Sequence, residues 1–163
     1  VNMMGRKWKE DNDYETPSHI WDDILHLIPT NREIWCPFYC NGYSGNYLKS
    51  KGLDVIHIEE DFFENDRGEV CIDNPPYRSS QRCLIKREII KRLKFLDKPF
   101  MILVPASTIQ TSYFKNLFDK DIQLVIPSKQ YQFMKNGELT KGCPFYTIWV
   151  CWKMGFSKDI IIV

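Results

Sequence analysis

Short apolar runs that end on polar or glycine-rich turns alternate with helical stripes along most of this chain. That alternation restricts its fold more than any other feature. Thr16 stands in capping position before Pro17, which suits a first helical residue, and Ile20, Trp21, Ile24, Leu25, Leu27 and Ile28 form the stripe that follows. Pro29 closes it. Residues 33–38 read as a short buried strand that runs into a tight turn over 39–45. A short helix is expected over 46–51, ended by Gly52. Residues 54–58 give a second strand and 70–72 a third, which leads straight into Asp73-Asn74-Pro75-Pro76-Tyr77.

From about residue 80 to 96, Cys83, Ile85, Ile89, Ile90, Leu93 and Leu96 recur at helical spacing. Residues 100–104 are the most strand-like run in the chain. A helix is expected over 111–118, and strands over 122–126 and 146–152. The loop between these strands is polar and contains Asn136-Gly137 and Lys141-Gly142. The pattern predicts an α/β fold: a doubly wound, mostly parallel sheet with helices on both faces. The last two strands, with no helix pattern between them, are expected to pair as an antiparallel hairpin at one edge.

The chain has 163 residues, room for one domain with a real core and not for two, so residues 1–163 are read as one unit. Its first dozen residues are polar and are expected to be loose. No apolar run approaches a membrane span, and the N-terminal stretch lacks the apolar core of a signal peptide. The expectation is an intracellular protein, cytosolic or nuclear, that is not secreted. Cys36, Cys40, Cys71, Cys83, Cys143 and Cys151 form no Cys-x-x-Cys pair, and no histidine sits near a cysteine cluster in sequence. Reduced, mostly buried thiols are therefore expected, with no metal. The net charge of +1 excludes a polycation, so any nucleic-acid contact must come from basic residues gathered on one face. Arg78, Arg82, Lys86, Arg87, Lys91, Arg92, Lys94 and Lys98 are such a concentration. It reads either as a solvated helix face or as a phosphate-contacting one.

In an open α/β sheet, ligands lie beyond the carboxyl ends of the strands. Three strand ends here carry chemistry. In the turn after Phe38, Gly42 and Gly45 permit close backbone approach, and the turn opens a helix whose N–H groups face the crevice. After the second strand, Glu59, Glu60 and Asp61 offer carboxylates suited to a ribose diol, with Phe62 and Phe63 as apolar walls or as core. After the third strand, Asn74 offers a side-chain oxygen and Pro75 a carbonyl whose direction Pro76 helps fix. Two such acceptors on one NH₂ group draw an exocyclic amine toward tetrahedral geometry and release its lone pair. Tyr77 offers a flat face for a planar substrate.

Asn74-Pro75-Pro76-Tyr77 resembles the catalytic motif of class I S-adenosylmethionine-dependent amino-methyltransferases, above all the N6-adenine DNA methyltransferases of small phage and virus type. The stretch Pro37, Phe38, Tyr39, Cys40, Asn41, Gly42, Tyr43, Ser44 and Gly45 is similar to their cofactor loop. Tyr14, Glu15, Thr16 and Pro17 are similar to the Thr-Pro segment that helps cover the cofactor's methionine part, and Asp61-Phe62 to the Asp-Phe element near its adenine. The resemblance implies a Rossmann-like fold, S-adenosylmethionine as cofactor, and DNA, or RNA, as partner. It implies a catalytic group of Asp73, Asn74, Pro75, Pro76 and Tyr77. It further implies cofactor binding by Tyr14, Thr16, Pro17, residues 37–42, Gly45, Glu59, Glu60, Asp61, Phe62 and Asn74. Nucleic-acid contacts are expected from Arg78, Arg82, Lys86, Lys129 and Lys135.

The chain departs from the family pattern in two places. Cys40 replaces the first glycine of the cofactor loop, and only residues 59–69 separate the second and third strands, too few for an intervening strand and helix. No separate target-recognition domain fits, so recognition falls to loops such as 129–141 or to a partner subunit. Three other readings stay open: a glutamine-amide methyltransferase, a cytosine N4 enzyme, and a methyltransferase-fold binding subunit without activity.

Overall fold

A computed structural model describes residues 14–77, 84–118, 120–140, 143 and 145–163. Its strands are β1 (Tyr14–Glu15), β2 (Ile34–Trp35), β3 (Val55–Ile56), β4 (Val70–Asp73), β5 (Phe100–Pro105), β6 (Ile122–Ile126), β7 (Met134–Lys135), β8 (Glu138–Leu139), β9 (Thr147–Trp152) and β10 (Ile160–Ile162). Its helices are α1 (Ser18–Ile24), α2 (Tyr43–Ser50), α3 (Leu84–Leu96) and α4 (Ser112–Leu117), with 3-10 turns over Leu25–Leu27 and Ala106–Gln110.

The architecture is α/β, as the alternation predicts. Seven strands form one sheet in the order β10-β6-β9-β5-β4-β2-β3, and β1, β7 and β8 form a separate antiparallel sheet. The large sheet is parallel except for β9, which runs against both of its neighbours. Its strands alternate between two apolar clusters. Ile34, Val70, Ile72, Met101, Leu103, Trp149 and Cys151 pack toward Ile20, Trp21 and Ile24 of α1 and Leu48 of α2. Trp35, Cys71, Phe100, Ile102, Val104, Val150 and Trp152 pack toward Ile85, Ile89, Ile90 and Leu93 of α3 and Phe114 of α4. Helices therefore cover both faces, compatible with a Rossmann-like arrangement and not peculiar to it.

The expected edge hairpin is corrected. β6 and β9 do pair antiparallel, but β9 inserts between β5 and β6. All six of its residues are buried, which requires a sheet neighbour on each side. The edge goes instead to β10, parallel to β6, where Ile160 and Ile162 stay exposed. Among the described residues, no helix is long and apolar enough to cross a membrane.

Candidate active site

The parallel register of β2, β3 and β4 decides what meets at their carboxyl ends. Trp35 lies beside Ile56 on one side and Cys71 on the other, so Cys36, His57 and the Ile72–Asp73 step leave the sheet together. Cys36, His57 and Asp73 are all buried, and their ligand-type atoms lie within 4.8 Å of one another. The Cys36 thiol donates to the Ile72 carbonyl at 3.0 Å. His57 Nδ1 sits 2.7 Å from the Cys36 carbonyl, which can only accept, so Nδ1 carries the proton and Nε2 the lone pair. Burial holds the ring below the usual histidine range, and among the described residues Nε2 has no hydrogen-bond partner. Three donors of metal-ligating type thus come together, although sequence separation hides it. Burial pushes the Cys36 thiol and the Asp73 carboxyl up, toward their protonated forms, the opposite of what a cation requires.

Asp73 ties the strand to the glycine loop. Its Oδ2 accepts the Phe38 N–H at 2.7 Å and its Oδ1 accepts the Asn74 N–H at 2.8 Å. Desolvation outweighs these two bonds and raises its pKa to about 8 from an ordinary 3.8. An acid raised on folding contributes stability that is complete below its unfolded pKa and lost as pH rises through its folded one. Wild-type stability in urea is therefore expected to fall, relative to Asp73→Asn, between about pH 4 and pH 8, by at most about 1.4 kcal/mol per unit. Parallel pH curves for the two proteins would overturn this assignment.

The loop itself is a tight turn closed by Gly42 N–H to the Tyr39 carbonyl at 2.8 Å. Asn41 Oδ1 accepts the Tyr43 N–H at 3.1 Å, satisfying one amide at the start of α2. Gly42 has φ +83°, and a Cβ there would come within 2.9 Å of the Tyr39 hydroxyl. Gly45 falls inside α2, which begins at Tyr43 rather than Asn46. Cys40 has φ +49°, the left-handed conformation that a glycine adopts without strain, and its thiol is exposed. The turn is thus kept and the cysteine bears the strain, roughly 1–2 kcal/mol for a side chain in this region. Cys40→Gly is expected to leave the melting temperature unchanged or raised, and Cys40→Val to lower it by several degrees; thermal melts check both. A lower melting temperature for Cys40→Gly would show that its thiol contacts outweigh the strain.

The acidic loop is more occupied than its sequence implies. Glu60 makes a two-bond ion pair with Arg67, both bonds 3.1 Å long. Asp61 Oδ1 accepts the Phe63 N–H and its carbonyl accepts Asn65 Nδ2, which fold the turn. Glu59 is exposed at the rim. Phe62 is buried between Trp35, Phe38 and Phe63 and packs in the core beside the loop.

Asn74 is the centre of a polar network. Its Nδ2 donates to Thr16 Oγ1 at 2.9 Å, and its Oδ1 lies 2.6 Å from the Tyr77 hydroxyl, which is also 3.0 Å from the Leu103 carbonyl. One expectation changes here. Thr16 does not cap α1: Pro17 is the N-cap residue and no side chain caps. Tyr77 is partly exposed, makes a T-shaped contact with Phe145 at 5.6 Å, and desolvation pushes its phenol pKa well up. A phenol held among buried groups must find an acceptor, and Asn74 and Leu103 supply it. Pro75 is buried and Pro76 partly so.

The basic candidates divide. Arg78 and Arg82 lie outside the described residues. Lys86 is partly exposed on α3. Its neighbours bind the protein's own groups. Arg92 donates to the Asn65 carbonyl, Lys94 lies 4.0 Å from the Trp152 ring centroid, and Lys98 donates to the Arg67 and Gly68 carbonyls. The stems of Arg92 and Lys94 flank the buried stripe of α3, so their charges end over a nearby carbonyl and ring. Lys129 is exposed. Lys135 is exposed too, beside Tyr14 through the β1–β7 pairing, with its ammonium 5.3 Å from that ring. An open polar cleft lined by Thr30, Arg32, Glu33, Asp54 and Glu69 lies at the opposite ends of β2, β3 and β4.

Sequence reasoning missed His57, Leu103 and Phe145. His57 alone left a signal, as a polar residue in an otherwise apolar strand. No family model and no curated protein matches the chain.

Proposed function

We propose that this protein is an S-adenosylmethionine-dependent methyltransferase of Rossmann-like, class I type that acts on the N6 amine of adenine in DNA. One observation carries the reading. Asn74 sits at the carboxyl end of β4 with its side-chain oxygen held in place and backed by two prolines, at the strand ends where an open sheet binds its ligands. Gly42, buried with its positive φ, shapes the tight turn of the loop that Asp73 fixes, and that loop lies at the same strand ends as Asn74. S-adenosylmethionine, when bound, supplies a methyl group already activated on its sulfonium. Thr16, Phe38, Asn41 and Gly42 are the residues that would hold it, with Glu59 at the ribose end. Asn74 Oδ1 accepts one N–H of the target amine and the Pro75 carbonyl the other, so the nitrogen lone pair turns out of conjugation. The chain otherwise works by holding these groups in one geometry.

Nucleosides from DNA and RNA incubated with the protein and labelled cofactor, separated by mass spectrometry, test this. Labelled N6-methyladenine from DNA is expected. Absence of label from every DNA and RNA offered overturns the reading.

A second reading, a binding subunit with this fold and no activity, is favoured by the same network, because both ends of the Asn74 amide already have protein partners. Calorimetry separates the two: heat on titrating S-adenosylmethionine supports the enzyme, and none at millimolar cofactor supports the inactive subunit.

A further inference from the structure

We propose that Gln130 is a positioning residue: it clasps the base of the excursion between β6 and β9 and so holds Phe145 against Tyr77, beside Asn74. The inference rests on the methyltransferase reading. β9 runs against both β5 and β6, so β6 is parallel to β5 and to β4. The chain therefore leaves β6, and enters β9, at the same edge of the sheet as Asn74. The excursion over residues 127–146 stands at that edge, and its described parts are anchored on two flanks of the site. On one flank Met134 pairs with Glu15, next to Thr16, and the Tyr131 hydroxyl bonds Asp23 of α1 at 2.8 Å. On the other, the Phe145 ring stands 5.6 Å from the Tyr77 ring, and the Tyr77 hydroxyl lies 2.6 Å from Asn74 Oδ1.

Gln130 stands just past the end of β6 and Phe145 just before the start of β9. Gln130 Nε2 donates to the Cys143 carbonyl at 2.6 Å and to the Phe145 carbonyl at 3.3 Å. Both partners are carbonyl oxygens and can only accept, so a single orientation of the amide, nitrogen inward, satisfies them. The Cys143 thiol adds a bond of 3.1 Å to the Phe145 carbonyl. The next residue, Tyr146, is fixed through its own carbonyl by the Ala106 N–H at 2.8 Å. The Phe145 backbone is thus held from the β6 side by Gln130 and from the β5 side through its neighbour, with its ring against Tyr77.

Tyr77 needs that backing. Its hydroxyl is bonded at Asn74 and at Leu103, but bonds at the tip of a ring leave the ring free to tilt about them. Phe145 packs against the ring itself. Loss of the clasp loosens this contact and lets the Tyr77 hydroxyl drift from Asn74. Such a drift is small in distance and large in rate, because the target amine must meet Asn74 and Pro75 in one geometry. Gln130 is exposed and lies outside the catalytic and cofactor groups, so its effect travels through Phe145.

The test compares full-length wild type, Gln130→Met, Gln130→Lys, Phe145→Ala and the double variant Gln130→Met/Phe145→Ala. Methionine keeps the length and loses the donor, and lysine restores a donor. Measured are kcat and KM for DNA at saturating cofactor, and the nuclear Overhauser contact between the Tyr77 and Phe145 rings. In Gln130→Met, kcat is expected to fall about fivefold or more, the loss of two hydrogen bonds that water partly replaces. KM for DNA should change by less than about threefold. Gln130→Lys should recover most of kcat, and the ring contact should be lost and regained in step. Phe145→Ala should lower kcat about as much, and adding Gln130→Met to it should cost little more, because both act on one contact. Wild-type kcat in Gln130→Met overturns the proposal. So does a loss that Gln130→Lys shares, one that lies wholly in KM, or additive losses in the double variant. If wild type transfers no methyl, the methyltransferase reading falls and the catalytic half of this proposal with it, while the ring contact still decides whether Gln130 holds Phe145 on Tyr77.

Discussion

Asn74→Ala is expected to reduce methyl transfer by about 10²–10³-fold, the loss typical when one preorganised polar group is removed from a reacting centre. The fold should survive. Asn74 lies in the loop after β4, outside both apolar clusters. Alanine removes no core volume, and Tyr77 keeps the Leu103 carbonyl as acceptor. Thr16 loses its partner, at a cost of about 1 kcal/mol, or 2–4 °C in a domain of this size. Initial rates at saturating cofactor, with a thermal melt alongside, check both halves. Transfer at the wild-type rate would remove Asn74 from the chemistry. A collapse of the melting temperature would mean that the network is structural first.

Gly45→Ala tests the other side of the site and should have the largest effect on stability. A Cβ at Gly45 would collide with Cβ, Cγ and Cδ2 of His57, closer than packed atoms approach. His57 has nowhere to go. Its Nδ1–H is held by the Cys36 carbonyl, and the Tyr39 ring stacks on it at 4.9 Å. Overpacking of this kind costs about 1–3 kcal/mol or more, which in melting temperature is roughly 2–12 °C. Because Tyr39 and Cys36 bound the glycine loop, displaced strands and loop should weaken cofactor binding as well. The double variant Gly45→Ala/His57→Ala removes the clashing ring and should recover part of the lost melting temperature. If Gly45→Ala melts with wild type, the contact between α2 and β3 is not as tight as its geometry implies.

Both variants touch residues that the sequence itself singled out, yet the reason for the second lies in a residue it did not. In sequence, Gly45 reads as a glycine for close approach to a ligand. The structure turns it inward, where its missing side chain makes room for His57. The same displacement of meaning runs through the site. Cys40 stands where the resembled loop has a glycine, and it takes the left-handed backbone conformation that a glycine adopts. Glu60 and Asp61 looked like a ribose grip, and both turn out to be engaged in holding their own loop. In each case a residue of suitable chemistry is visible in sequence, and its partner is not.

The apolar pattern by itself determined the layers. Ile85, Ile89, Ile90 and Leu93 bury one side of α3, and Phe100 to Val104 make a strand buried on both faces, because periodicity of 3.6 or continuous apolar character leaves few other ways to exclude water. The same local reading located Asp73 to Tyr77 at a strand end. Pairing between distant segments was decided only in three dimensions. The insertion of β9 between β5 and β6, the late edge strand β10 and the joining of β1 to β7 depend on which backbone groups remain unpaired once the rest has folded. So does the bond between Thr16 and Asn74, 58 positions apart in the chain. Hydrogen bonds need an angle and about 3 Å, and residue spacing along a sequence carries neither.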